Sequence, residues 1–394
     1  MIKSIGKFLV LFAFILSALQ IQNLSTLIFG ESIIRLIAYL TICFVLFGMF
    51  FFLKDKGKLP YIIILWFWFF SIYWAFGLLA NSIHDNPVSV LKNIIPLGYF
   101  LSFSIFLSIK ENHKLTGKVI AVTFFISCLL LILFDVLNFD LDRRGIYQFT
   151  LERAGGVYAD ANQAAVVCLL TFIFIKYLFK PVNKLQKILK FLALIITLYA
   201  FLLTFSKTGF IVLLVVLGLM YHKWFNPKRL LFTIILIPVF FYLIYNFAIE
   251  SEFLSVIQKQ RIEGLANILT FQYEKVDYSG RDVLLKNMMN YVNENPILGN
   301  GINFSTSIRG HNTIIGIWAD AGIITFLFFL ILLFRHFWIS LQSEGENKYF
   351  LLSILTVLSV YMLSLQTIIN QSYFMVVFVW IGYQMSKEKQ INYK

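Results

Sequence analysis

Three cations and one base stand out in an otherwise apolar chain: Arg153, Lys207, Arg281 and His311. An arginine presents a planar fork of donors that matches phosphate oxygens. A lysine supplies a compact charge, and a histidine titrates near neutrality. Such a set is equipped to hold a diphosphate while a neighbouring hydroxyl is deprotonated. Other polar residues that hydropathy does not explain accompany them, namely Arg143, Arg144, Asp160, Asn162, Ser206 and Asn312.

Each of these has a plainer reading to set beside the chemical one. Arg143 and Arg144 read as helix-end cations reaching toward lipid headgroups. Lys207 sits in a short polar break, Phe205-Ser206-Lys207-Thr208-Gly209, where any polar residue would serve a solvated turn. Arg281 opens an expected helix, a position that the helix dipole mildly disfavours for a cation. His311 alone reads as an interfacial histidine. Asp320 follows about 13 Å further along the same helix, at 1.5 Å per residue, too far to bond it. An ionisable group at that depth needs a partner or a task. Asp140-Leu141-Asp142 has the D-x-D form of some metal-binding transferases, but an acidic loop produces so short a match by chance. Cys43, Cys128 and Cys168 fall in apolar runs without ligand spacing and read as packing residues. No Walker loop and no serine- or zinc-hydrolase motif occurs, which leaves ATP-driven transport and those hydrolyses unsupported.

The elements that must position these residues are membrane helices. Of the 394 residues 59% are hydrophobic and only 13% charged, against about 25% charge in a soluble domain. Mean hydropathy is +0.81. These values exclude disorder, a secreted disulfide scaffold and a cytosolic enzyme, and they predict an all-α polytopic membrane protein. A helix needs about 20 apolar residues to cross a bilayer. Runs near 6–25, 33–53, 60–80, 93–109, 118–137, 163–179, 189–205, 208–222, 230–249, 312–334, 349–368 and 371–386 predict about twelve spans. Lys3 and Lys7 before the first run mimic a signal peptide, but no small-residue cleavage site follows, so the run is expected to stay as a span.

Alternate connections then differ sharply in charge. With the N-terminus inside, the inner segments hold 21 of the 33 basic residues and five of the 20 acidic ones, leaving the outer segments at −3. That bias places both termini in the cytoplasm and accounts for the net charge of +13 as a topology signal, with no nucleic acid as partner. Arg153, Lys207, Arg281, His311 and the polar residues that accompany them then fall at the outer boundary. The expected organisation is a bundle over 1–249 with an outer loop at 138–162, a large extracytoplasmic loop domain at 250–311, and C-terminal helices and tail over 312–394. Within the large loop an amphipathic stretch, Glu252–Thr270, is expected to present Phe253, Val256, Ile257, Leu265, Ile268 and Leu269 on an apolar face. A turn at Tyr278-Ser279-Gly280 precedes a second helix, Arg281–Asn293, stopped by Asn295-Pro296 and Gly299-Asn300-Gly301. Helices of this kind can lie in the headgroup layer.

Arg153-Ala-Gly155, Asp160-Ala-Asn162, Thr204-Phe-Ser206-Lys207-Thr208-Gly209, Ser279-Gly280-Arg281, Asn295-Pro296-Ile297-Leu298-Gly299-Asn300-Gly301, His311-Asn312 and Asp320-Ala-Gly322 occur in this order. The series resembles the O-antigen ligase and polymerase superfamily, bacterial multi-pass glycosyltransferases of the GT-C class. The resemblance covers roughly 145–335; earlier residues match only as hydrophobic spans. It implies an undecaprenyl-diphosphate-linked oligosaccharide donor on the outer face of the inner membrane, metal-independent transfer and no cofactor. A ligase passes the glycan to lipid A–core, whereas a polymerase passes it to another lipid-linked repeat unit. A flippase and a chain-length regulator are the partners to expect in the same membrane.

By this resemblance His311 is the general base, Arg281, Lys207 and Arg153 stabilise the diphosphate, and Asn162 and Asn312 position substrate by hydrogen bonds. Lys207 departs from the arginine usual in that turn, which keeps the charge and loses bidentate binding. The negative outer face and the single histidine of Arg309-Gly310-His311-Asn312 favour a polymerase over a ligase. A flippase or other transporter would line mid-membrane depths with charge and commonly show internal repeats, neither of which occurs here.

Overall fold

The computed structural model describes residues 2–29, 32–84, 90–139, 153–158, 160–224, 242, 245–247, 249–252, 254–275, 280–366 and 368–391. Asp140, Asp142, Arg143, Arg144, Phe253, the Tyr278-Ser279 turn and most of the run 230–249 lie outside them. The regular structure among the described residues is helical, with no strand. In chain order it comprises α1 (Ile2–Ala18), α2 (Ile21–Phe29), α3 (Ser32–Phe50), α4 (Tyr61–His84) and α5 (Val90–Leu107). Next come α6 (Glu111–Val136), α7 (Ala161–Leu178), α8 (Lys184–Leu203), α9 (Lys207–Met220) and α10 (Val256–Leu269). The last five are α11 (Arg281–Glu294), α12 (Phe304–Ser307), α13 (Thr313–Leu341), α14 (Gly345–Met362) and α15 (Ser372–Ile391).

Every apolar run other than 230–249 coincides with a helix, but among the described residues only α4, α6, α7, α8 and α13 are long and apolar enough to cross a membrane. One expected span, 6–25, divides into α1 and α2 where Gln20 adopts a left-handed φ of 50°. Burial separates helices that face protein from those that face the surroundings. The first half of α15 is buried on every side, from Tyr373 to Ile381, as a central helix must be. By contrast α8 exposes Ile188, Leu189, Leu192, Ile195 and Tyr199 along its length, a face suited to lipid. The protein is thus an integral membrane protein whose described residues form helices and no strand.

The helix that carries the His311 segment into the bundle is broken. Inside α13 the backbone leaves helical geometry at Ala321 and Gly322. Such a break would strand the carbonyls of residues 319 and 320, whose helical partners are four residues on. Instead the Pro296–Gly301 segment supplies replacements. Asn300 N–H donates to Ala319 O at 2.8 Å and Gly301 N–H to Asp320 O at 2.9 Å. Ile323 N–H in turn donates to Pro296 O at 2.9 Å. The Pro296–Gly301 loop is therefore spliced into a membrane helix by its own backbone, the form in which irregular chain is tolerated at membrane depth.

Glycine makes this approach possible. Gly322 has φ of 76°, and a Cβ there would run into the backbone oxygen of Ile297. Gly322→Ala is expected to cost roughly 3 kcal/mol, left-handed strain plus a clash with backbone that cannot yield. Gly345→Ala is the control, since Gly345 has φ of 57° but open space around it. The measurement is thermal unfolding in detergent, with a clearly larger loss expected for the first variant.

Candidate functional site

The helices of the large loop start close to their expected positions. α10 is opened by a capping box of Ser255 and Gln258, and α11 begins at Arg281 after Gly280 in a left-handed conformation with no side-chain cap. Of the expected apolar face of the first, Leu265 is buried; on the second, Met288 and Val292 pack with Ala319 of α13. Val256 and Leu269, at the ends of α10, are exposed instead. Gly310 lies so close to Met288 that a Cβ would meet its sulfur. The segment holding His311 is thus pressed against α11 and Arg281.

Arg153, just ahead of a short 3-10 turn at Gly156–Tyr158, is the hinge between two helix ends. Its Nε donates to Thr204 O at 2.8 Å, satisfying a carbonyl at the end of α8. A terminal guanidinium nitrogen donates to Asn162 Oδ1 at 3.1 Å. Ser206, which caps α9, donates to the same Asn162 oxygen at 3.0 Å and lies 3.1 Å from the Tyr361 hydroxyl at the end of α14. Asp160 caps α7 through the Asn162 and Gln163 N–H groups. Four helix ends, from α7, α8, α9 and α14, are joined by this one network.

Arg281 and His311 complete it electrostatically. Burial pushes the Arg153 guanidinium down to about 10, with Arg261 and then Arg281 adding repulsion against the pull of Asp160. Arg281 is lowered by burial and supported by Asp160 and Tyr361. His311 is held below its ordinary value by burial first, then by Arg281 and Arg309, with Asp160 opposing. Five cationic or basic side chains (Arg153, Arg261, Arg281, His311, Arg309) therefore share one end of the bundle, and among the described residues Asp160 is the carboxylate that acts on Arg153, Arg281 and His311. Among the described residues neither the Arg281 guanidinium nor the His311 imidazole forms a hydrogen bond. An unbonded arginine fork and an unbonded neutral base are what an anionic ligand and a proton donor would engage.

The remaining predicted residues sit in the same region with part of their capacity committed. Asn312 caps α13, its Oδ1 accepting from Ile315 N–H at 2.9 Å, which leaves the amide nitrogen for any ligand. Asn162 likewise spends its oxygen on Arg153 and Ser206. Lys207 opens α9 and lays its ammonium against Gly264 of α10, where a Cβ would collide with it. The first positions of α7, α9, α11 and α13 carry Asn162, Lys207, Arg281 and the residues after Asn312. The positive ends of four helix dipoles thus accompany the cations, an arrangement that favours a bound anion.

Asp320 has a positioning task. It accepts from the Tyr73 hydroxyl at 2.8 Å and from Ser305 N–H at 2.6 Å. Ser305 O accepts from Gly310 N–H at 3.2 Å, so the carboxylate ties α4 to the turn that presents His311. Arg261 and Tyr361 were not expected. Arg261 lies on the polar side of an amphipathic stretch whose apolar side alone had a pattern to read, and Tyr361 is one aromatic among many in an apolar run. Cys128 and Cys168 face each other with sulfurs 3.7 Å apart, as free thiols inside the α6–α7 packing.

Residues 192–330 match the family model described as O-antigen ligase. The match agrees with the O-antigen ligase and polymerase superfamily and points to a membrane enzyme that transfers lipid-linked glycans. None of the curated proteins matches the chain. The matched stretch contains Lys207, Arg261, Arg281, His311 and Asp320, whereas Arg153, Asn162 and Tyr361 are joined to it only by the fold.

Proposed function

We propose that this chain is a polysaccharide polymerase acting on the outer face of the bacterial inner membrane, with both termini cytoplasmic and the 250–311 segment outside. Its donor is a glycan on undecaprenyl diphosphate, and its acceptor is the non-reducing-end hydroxyl of another lipid-linked repeat unit. The observation that carries this reading is the meeting of Arg153 with Arg261, Arg281 and an unbonded histidine, the last three within the stretch that matches the O-antigen ligase model.

In the reaction the acceptor oxygen attacks the anomeric carbon as the bond from that carbon to the diphosphate oxygen breaks. His311 takes the hydroxyl proton. Arg281 and Arg153, with Lys207 and Arg261 beside them, stabilise the charge gathering on the departing diphosphate, an electrostatic role that a preorganised site performs without reorganisation. Asn162 and Asn312 orient substrate through their amide nitrogens.

The outer face at −3 and the lone histidine before α13 favour the polymerase, since a phosphorylated core oligosaccharide calls for additional outer cations. A ligase acting on lipid A–core is the second reading, supported by the description of the matched family. A surface-glycan gel of a deletion strain, complemented with wild type or His311→Ala, separates them. A polymerase null shows one repeat unit per anchor and no ladder. A ligase null accumulates long polymer on undecaprenyl diphosphate with none on lipid A–core. A null strain with an unchanged gel would defeat both.

A further inference from the structure

The connection between α14 and α15 is unusually polar for a link between two buried helices, with Ser364, Gln366, Asn370 and Gln371. It is laced to the segment that carries His311. Thr313 Oγ1 donates to Leu365 O at 2.5 Å, Ile368 N–H donates back to Thr313 Oγ1 at 3.5 Å, and Asn370 Nδ2 donates to Asn303 Oδ1 at 3.3 Å. The fourth bond reaches the candidate base itself: His311 N–H donates to Gln366 Oε1 at 3.3 Å.

Two features show that this bond is kept at a cost. His311 has φ of 49°, a left-handed conformation that costs a non-glycine residue roughly 1–2 kcal/mol unless its surroundings hold it. On the other side, Gln366 Nε2 is buried with no hydrogen-bond partner among the described residues. The amide cannot turn over to relieve this, because its nitrogen would then face the His311 N–H, donor against donor. Buried polar atoms without partners are rare in native proteins. An apolar side chain would avoid the orphan beside the buried Leu365, Ile368 and Ile369. A glutamate would offer the acceptor without the orphan, but it would set a negative charge beside the base.

We infer that Gln366 is a positioning residue of the transfer reaction, a neutral acceptor that fixes the His311 backbone in its left-handed conformation without adding charge next to the imidazole. The inference rests on the proposed role of His311 as the base. The charges already facing His311 are Arg281 from α11, Asp160 from the start of α7 and Arg309 from its own turn, with Arg153 and Arg261 behind them. A carboxylate at position 366 would oppose the arginines and favour the protonated imidazole, whereas an uncharged amide leaves the charge balance around the base as it is.

The test uses the full-length protein in detergent with lipid-linked glycan as donor and acceptor. Gln366→Met is expected to lower kcat at least about tenfold with KM for the acceptor unchanged, the signature of a misplaced base. Gln366→Glu is expected to move the acid limb of the rate profile toward higher pH by about one unit. The same shift is read without turnover from the titration of carbon-13-labelled histidine, the His311 signal being assigned by its loss in His311→Asn. A Met variant within twofold of wild-type kcat, or a Glu variant whose His311 titration does not move, would overturn the inference. If the Met variant fails to fold, the Glu titration still decides. A wild type that transfers no glycan would defeat the transferase reading, while the titration would continue to report on Gln366.

Discussion

His311→Asn should lower the transfer rate by about 10²–10⁴, the usual worth of a general base, while leaving the protein folded and able to bind lipid diphosphate. Asparagine is the informative replacement. It tolerates the left-handed backbone that residue 311 adopts, whereas most side chains do not. Its backbone N–H can still reach Gln366, and the lost imidazole forms no hydrogen bond among the described residues, so little stability is at stake. Quantitative transfer in detergent, paired with a binding assay for an undecaprenyl diphosphate glycan, separates lost chemistry from lost binding. Full activity in the Asn variant would remove His311 from the mechanism and leave the cationic cluster as a binding site alone.

Arg281→Gln should cost about 10²–10³ in kcat through lost stabilisation of the departing diphosphate, and it should also shift the pH profile. Only the neutral imidazole accepts a proton. The Arg281 charge opposes protonation of His311, so in the free protein the base stays neutral to a pH below its ordinary value. Removing that charge lets the imidazole protonate at higher pH, and the acid limb of kcat/KM should move up toward the ordinary value of 6.5. Bound diphosphate neutralises the same charge in the wild type. The limb of kcat, which reports the bound state, should therefore lie above the limb of kcat/KM, and the gap should narrow in the variant. Coincident limbs in wild type, or an unmoved limb in Arg281→Gln, would show that the two side chains act independently. Arg153 is the poorer target for this purpose, because its bonds to Thr204 and Asn162 join α7 to α8 and their loss disturbs the fold.

The parts of this protein that were legible in the sequence are those set by local composition. A helix that meets lipid must be apolar for most of its length, so the runs give the helices without any knowledge of neighbours. The starts of α10 and α11 could be read from turn residues and amphipathic spacing, which are again local. Arg153, Lys207, Arg281 and His311 were conspicuous because an ionic side chain in an apolar chain is expensive. The family resemblance added roles to them.

The tertiary structure decided what depends on residues far apart in the chain. No pattern in 312–334 announces a helix broken at Ala321-Gly322, because the break is stable only when Pro296–Gly301 supplies the missing bonds. Asp320 was visible as a costly group, but its partners Tyr73 and Ser305 come from 247 and 15 positions away. Arg261, Tyr361 and Gln366 carry no local signature at all; they matter through what they face. Hydropathy records how much of a segment avoids water, whereas a buried donor or charge is judged by its partner, and partners are chosen by the folded chain.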